Sequence, residues 1–165
     1  MTSCRSSGED ATDAYAYEAT RAKVVPVGLV PEGLRPDAYS TGTITEGPLA
    51  GDAIEAVDYL LLRPDGVGVL DVRQVISGAS GRTVSSRSHG YLTPRRLLPP
   101  LEELVDPASA WPDAEMPMHG AFDLRTAAPE LQALNATVYG FTGTVNAGRG
   151  ELRVRAQSLA RVLVA

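Results

Sequence analysis

The sequence predicts an all-β chain folded as one small antiparallel β-barrel, with one or two short helices and a Pro-rich cover segment. Three observations carry that expectation. Short β-branched or alternating runs recur along the chain, separated by turns containing Gly, Pro and Asn. Helical patterns are confined to two brief stretches. Seven or eight strands in one sheet leave open edges unless the sheet closes, which favours a barrel over a sandwich.

Composition bounds the reading further. The 165 residues carry 15 Lys+Arg against 20 Asp+Glu, a formal net charge of -5, 44% hydrophobic residues, one Cys and two His. This length suits one domain, and the apolar share excludes wholesale disorder. An acidic balance argues against nucleic acid, because phosphate binding needs a basic face. No apolar run approaches the roughly 18 residues of a membrane helix, so no membrane partner is expected. Cys4 stands alone, which excludes a disulfide framework or a Cys-based metal site. The N-terminus lacks the three regions of a signal peptide, so a cytoplasmic location is expected. Lys23 is the single Lys, a coding style of GC-rich bacterial genomes.

Taken in order, residues 1–20 are polar and show no apolar period, so they read as a mobile tail ahead of a barrel domain at 21–165. Residues 23–30 read as a strand, with Pro26 placing it at an edge or bend. Residues 31–37 read as a loop, and the run from Tyr39 is β-type up to the Gly47-Pro48 turn. The plainest local feature is a hairpin: residues 57–63, then Pro64-Asp65-Gly66, then 67–76. Pro presets the first turn position, Asp suits the second, and Gly accepts a left-handed third, giving a type I turn with a glycine bulge. Another strand covers 83–91. Six prolines between 94 and 117 break the β pattern. That stretch reads as an ordered cover, since Leu97, Leu98, Leu101, Leu104 and Trp111 need burial. Strands resume at 120–125, 137–145 and 151–164, with a short helix at 126–134 that has Pro129 in its first turn.

A small barrel is either filled by side chains or holds one small ligand, so the facing of its polar groups matters. If Gly66 is the bulge, Arg63 pairs with Val67 and Tyr59 lies opposite Asp71. Tyr59, Leu61, Val67, Val69, Asp71 and Arg73 then share one face, and Asp58, Leu60, Leu62, Leu70 and Val72 share the other. A two-residue loop would instead pair Asp58 with Asp71. Neither face is purely apolar, so the pattern leaves open whether Asp71 and Arg73 line a cavity or form a solvated ion pair outside. His89 and Tyr91 share a face with Ser85 and Arg87, and His119 precedes the strand at Gly120. Two His thirty positions apart make a poor metal site, and no metal is expected. Phosphate-binding glycine loops and a nucleophile elbow are missing from the sequence, so no cofactor is expected. Tyr139 and Phe141 suit a core or the wall of a planar apolar ligand.

Several runs resemble the family of uncharacterised proteins called DUF3237 or UPF0311. They are residues 42–51, Asp58-Tyr59, the Arg63-Pro64-Asp65-Gly66 hairpin with Asp71-Val72-Arg73, Phe122-Asp123, and Pro129-Glu-Leu-x-x-Leu-Asn135 followed by Thr137-Val-Tyr. The resemblance spans roughly residues 22–160. It implies a lipocalin- or calycin-like barrel with a central cavity. It also implies that Asp58, Asp71 and Arg73 occupy recurrent polar positions. The chain departs at Tyr59 and Ala133, where the family usually has Trp.

The expected function is a cofactor-free enzyme of bacterial secondary metabolism that cyclises, isomerises or dehydrates a small, largely apolar substrate. Asp71 is the expected acid or base and Arg73 the partner of an oxyanion or carboxylate, with Tyr59 and His89 as further catalytic groups. Asp58, Tyr91, Trp111, His119, Tyr139 and Phe141 are expected to bind substrate. A carrier with the same cavity is the alternative, and a barrel filled with side chains a third. A homodimer through the strand at Arg153 is a further expectation.

Overall fold

The computed structural model describes residues 14–106, 108–109 and 111–159. Nine strands are found among them: β1 (Ala14–Val30), β2 (Gly33–Glu46), β3 (Ala53–Tyr59), β4 (Leu61–Leu62), β5 (Gly68–Ser77), β6 (Thr83–Leu92), β7 (Glu115–Thr126), β8 (Val138–Asn146) and β9 (Glu151–Ser158). All neighbours are antiparallel. The order β1-β2-β3-β5-β6-β7-β8-β9 returns to β1, so eight strands close a barrel, and β4 continues β3 beyond Leu60.

The hairpin between β4 and β5 forms as its residues dictate. Gly66 has φ +83°, its N–H donates to Arg63 O at 2.9 Å, and Arg63 N–H donates to Val67 O at 2.9 Å. Asp65 Oδ1 accepts the Val67 N–H at 3.1 Å and closes the turn. The register continues as Leu62 opposite Gly68, Leu61 opposite Val69 and Asp58 opposite Val72, the alignment of the glycine-bulge reading.

Three expectations are corrected. Residues 14–20 are not tail, since β1 begins at Ala14 and pairs with β9 from Ala14 to Thr20. Tyr15, Tyr17 and Ala19, spaced by two, are buried, and their burial is what draws this segment into the wall. Residues 1–13, Cys4 included, lie outside the described residues, as do residues 160–164 of the expected closing strand. Residues 33–37 are strand rather than loop, because the turn needs only Pro31 and Glu32; Pro36 sits opposite Pro26 beside a bulge, where missing N–H groups do least harm. The second helix is a 3-10 segment, Pro129–Ala136. Asn135 fixes it by accepting the Thr126 N–H at 2.8 Å and donating to Thr126 O at 2.9 Å.

The two ends of the barrel differ. At one end Leu131 and Leu134 of the 3-10 segment and Leu49 of the β2–β3 turn pack into the main core with Tyr15, Ile44, Ile54, Ile76, Val84, Leu124 and Tyr139. At the other end α1 (Leu101–Leu104) lies across the wall, with Leu104 against Leu34 and Leu62. The cover therefore runs over residues 94–114. Its Leu97 is fully exposed, contrary to the burial expected, and Leu104 supplies the buried anchor.

Candidate functional site

A cavity of about 130 Å³ lies beneath the cover. Its lining comes from one end of every long strand and from Leu104, Val105 and Trp111 of the cover. Most of that lining is apolar: Leu60, Leu70, Val72, Met116, Phe122 and Phe141 among others. An apolar hollow of roughly 150 Å³ suffices for a benzene-sized guest, so this space suits a single small ring or short chain.

Four polar side chains reach it from the inner face: Asp58, Tyr17, Ser40 and Ser88. Cross-strand register explains their grouping. Asp58 lies opposite Val72, Val72 opposite Ser88, and Ser88 opposite Phe122, so these residues form one ring on the inside of the wall. Asp58 stands next to the break in the ladder at Leu60. The Asp71 N–H donates to Asp58 Oδ1 at 3.2 Å, at a point where β3 has ended and β4 has not begun. The side chain thus satisfies a backbone donor that the interrupted strand leaves without its neighbour.

Its surroundings set its acidity. Burial pushes the Asp58 carboxyl up to about 7, opposed by the Asp71 N–H and assisted by the charges of Asp71 and Asp37. Tyr17 is pushed up to about 12, chiefly by burial; the Gln74 hydrogen bond opposes this and the Asp58 charge adds to it. Arg21 and Arg35 also line the cavity, and each is engaged elsewhere: Arg21 Nη1 donates to Ala147 O at 2.7 Å, and Arg35 pairs with Asp37 at 3.5 Å.

The expected catalytic stripe is on the other side of the wall. Asp71, Arg73 and His89 point outward, with side chains 39%, 50% and 56% exposed. Asp71 Oδ1 lies 3.7 Å from Arg73 Nε, 3.8 Å from Arg87 Nε and 3.7 Å from His89 Nδ1. That group is an ion cluster on the outer face, its exposed side chains closing over Asp71 Oδ1. Tyr91 and His119 are outer-face neighbours with ring centroids 6.0 Å apart, and Tyr59 faces outward beside Arg35 and Asp37. The physical reason is the strict two-residue period: once Leu70 and Val72 turn in, Asp71 and Arg73 must turn out. Of the remaining expected residues, Asp58, Trp111 and Phe141 line the cavity. Tyr139 lies below it, fully buried and stacked on Phe122 with centroids 5.1 Å apart.

Arg73→Ala and His89→Ala are therefore expected to leave the affinity for a cavity ligand within about twofold, since exposed ion pairs contribute little. Asp71→Asn removes a charge that raises the Asp58 carboxyl, so the Asp58 midpoint falls, which carbon-13 NMR of the labelled carboxyl reads directly.

Tyr17, Gln74 and Ser88 escaped the sequence reading. The signal available for Tyr17 was its alternation with Tyr15 and Ala19; Gln74 and Ser88 fall on the face of Leu70 and Val72.

No protein-family model and no curated protein matches the chain. Solved structures do. A protein of unknown function from Clostridium acetobutylicum is 16% identical, with 88% of this chain and 96% of that one covered at a TM-score of 0.67. A conserved protein of unknown function from Rhodopseudomonas palustris is 16% identical, covering 89% and 95%, at 0.64. A β-barrel-like protein from Acinetobacter baumannii is 17% identical, covering 89% and 93%, at 0.66. These likenesses establish the class of architecture, a closed antiparallel β-barrel. Among the described residues no helix is long and apolar enough to cross a membrane.

Proposed function

We propose that the chain is a cofactor-independent enzyme that holds one small, largely apolar organic molecule in the barrel and moves a proton on it through Asp58. One observation carries this reading: a buried carboxyl group at the wall of an apolar, covered cavity, where burial pushes its ionisation up to about 7. A group poised near working pH gives and takes protons with comparable ease. Walls that exclude water strengthen its polar contacts and hold the guest in one orientation. Cyclisation, isomerisation and dehydration are the reaction classes such a group serves. Asp58 takes the acid–base role that the sequence pattern offered to Asp71. On the same reading the chain is a divergent member of the DUF3237 family, with Asp58-Tyr59 and Asp71-x-Arg73 as shared wall segments.

Carbon-13 NMR titration of Asp58, with and without benzene as a guest, tests the proposal. The expected midpoint is near 7. Benzene displaces water from around the carboxylate, so it moves the midpoint upward. A midpoint near 4 that benzene leaves unmoved overturns the reading.

A further inference from the structure

Tyr17 gives the site a second chemical function. Its ring is buried in the wall, and its Oη accepts a hydrogen bond from Gln74 Nε2 at 2.9 Å. Gln74 therefore uses the phenol as an acceptor and leaves the phenol's own proton for another partner. Among the described residues no hydrogen bond donated by the Tyr17 O–H is found. Tyr17 and Asp58 line the same cavity, close enough for the Asp58 charge to act on the phenol.

Resting on the Asp58 reading, we propose that the substrate is a small enolisable carbonyl compound with a neighbouring double bond, that Tyr17 receives its carbonyl oxygen, and that the reaction is migration of the double bond into conjugation. Asp58 as carboxylate removes a proton from the carbon between the carbonyl and the alkene. The C–H electron pair moves into a dienolate, whose oxygen accepts the Tyr17 O–H hydrogen bond. Asp58, now a carboxylic acid, returns the proton to the far alkene carbon, and the carbonyl re-forms. The proton removed is the proton returned, nothing is oxidised, and no co-reactant is consumed. The donor set favours this step over dehydration. Dehydration calls for an acid at the leaving hydroxyl while the carboxyl is engaged as base at carbon, whereas the cavity offers one carboxyl and, in Tyr17, a phenol that burial keeps protonated. It stabilises a developing oxyanion by hydrogen bonding. Gln74 is a positioning residue: it touches Tyr17 and sets the direction of the phenol. The cavity volume fits a six-membered ring.

The probe is cyclohex-3-enone, whose conversion to cyclohex-2-enone is followed by ultraviolet absorption, with binding of cyclohex-2-enone followed by Trp111 fluorescence. Wild type is expected to bind the ring and isomerise it. Asp58→Asn lowers kcat by about a thousandfold or more. Tyr17→Phe lowers kcat by about a hundredfold with KM changed less than about twofold, the loss typical of one oxyanion donor. Gln74→Leu lowers kcat by about tenfold with KM unchanged, which keeps the test open if Tyr17→Phe folds poorly. Binding without isomerisation, or isomerisation that Tyr17→Phe and Gln74→Leu leave intact, overturns the carbonyl assignment and spares the Asp58 reading. No binding of the ring overturns both.

Discussion

Asp58→Asn is expected to make the protein more stable at pH 8 and inactive at every pH. The sign follows from where the proton sits. In the unfolded chain Asp58 ionises near 3.8, whereas in the barrel it ionises near 7. Below pH 4 the carboxyl is neutral in both states and carries no penalty. As pH rises from about 4 to 7 the unfolded state releases the proton while the folded state keeps it, so stability falls across that window and the deficit is complete above 7. At about 1.4 kcal/mol per tenfold change in acidity, the deficit at pH 8 is on the order of 2–4 kcal/mol, the lower figure allowing for water at the cavity mouth. Asn keeps an oxygen for the Asp71 N–H and carries no charge to desolvate. Its Tm should exceed that of wild type by roughly 5–10 °C at pH 8. The two curves should converge near pH 4. A side chain retained at a cost to stability that also abolishes turnover when made neutral fits a functional group better than a structural one. Equal Tm values at pH 8 would remove the basis for giving Asp58 its role.

Gly90→Ala and Gly120→Ala are expected to rank among the most damaging single-methyl additions in the wall, beside Gly42→Ala, whose Cβ would stand 2.0 Å from Glu18 O. Gly90 and Gly120 face each other across β6 and β7. A Cβ on Gly90 would stand 2.1 Å from His119 O and 2.8 Å from the Gly120 Cα; one on Gly120 would stand 2.1 Å from His89 O. Backbone, not a movable side chain, fills the space. The strands must part, at a loss of about 3 kcal/mol or more for either variant. Against a typical total of roughly 5–15 kcal/mol that is a large fraction. Gly81→Ala is the control. Its Cβ meets nothing within 4 Å, and only its φ of +78° is strained, so about 1–2 kcal/mol is expected. Urea denaturation of the three variants ranks them, and a Gly90→Ala as mild as Gly81→Ala contradicts the close approach.

Local chemistry made the β4–β5 hairpin readable. Pro64, Asp65 and Gly66 each demand a turn position, and together they set a register that carries through to Asp58 opposite Val72. The division of the hairpin into two faces was legible for the same reason. Which face turns inward was not. The inner face carries Asp58, Gln74, Ser86 and Ser88, and the outer face carries Val69, Val75 and Tyr91, so polarity does not separate inside from outside. A filled core would have sorted them; a barrel with polar groups at its cavity does not. Tyr15 and Tyr17 were missed because alanines and a polar neighbourhood surround them, and their burial depends on β9, more than a hundred residues away. The break at Leu60 that lets Asp58 cap Asp71 lies within one hairpin, 13 residues apart, but no turn residue marks it and it shows only with β5 in place.

The unlike ends of the barrel divide the chain into a part that is free to drift and a part that is not. Leu49, Leu131 and Leu134 hold one end shut, while Val24, Pro26, Leu60 and Trp111 border the cavity at the other. Random exchange among those four would reshape the hollow while the stopper at its base keeps the staves together. An evolving lineage, or a laboratory library confined to the rim, has in this chain a scaffold whose cavity shape and foldability are written in largely separate residues.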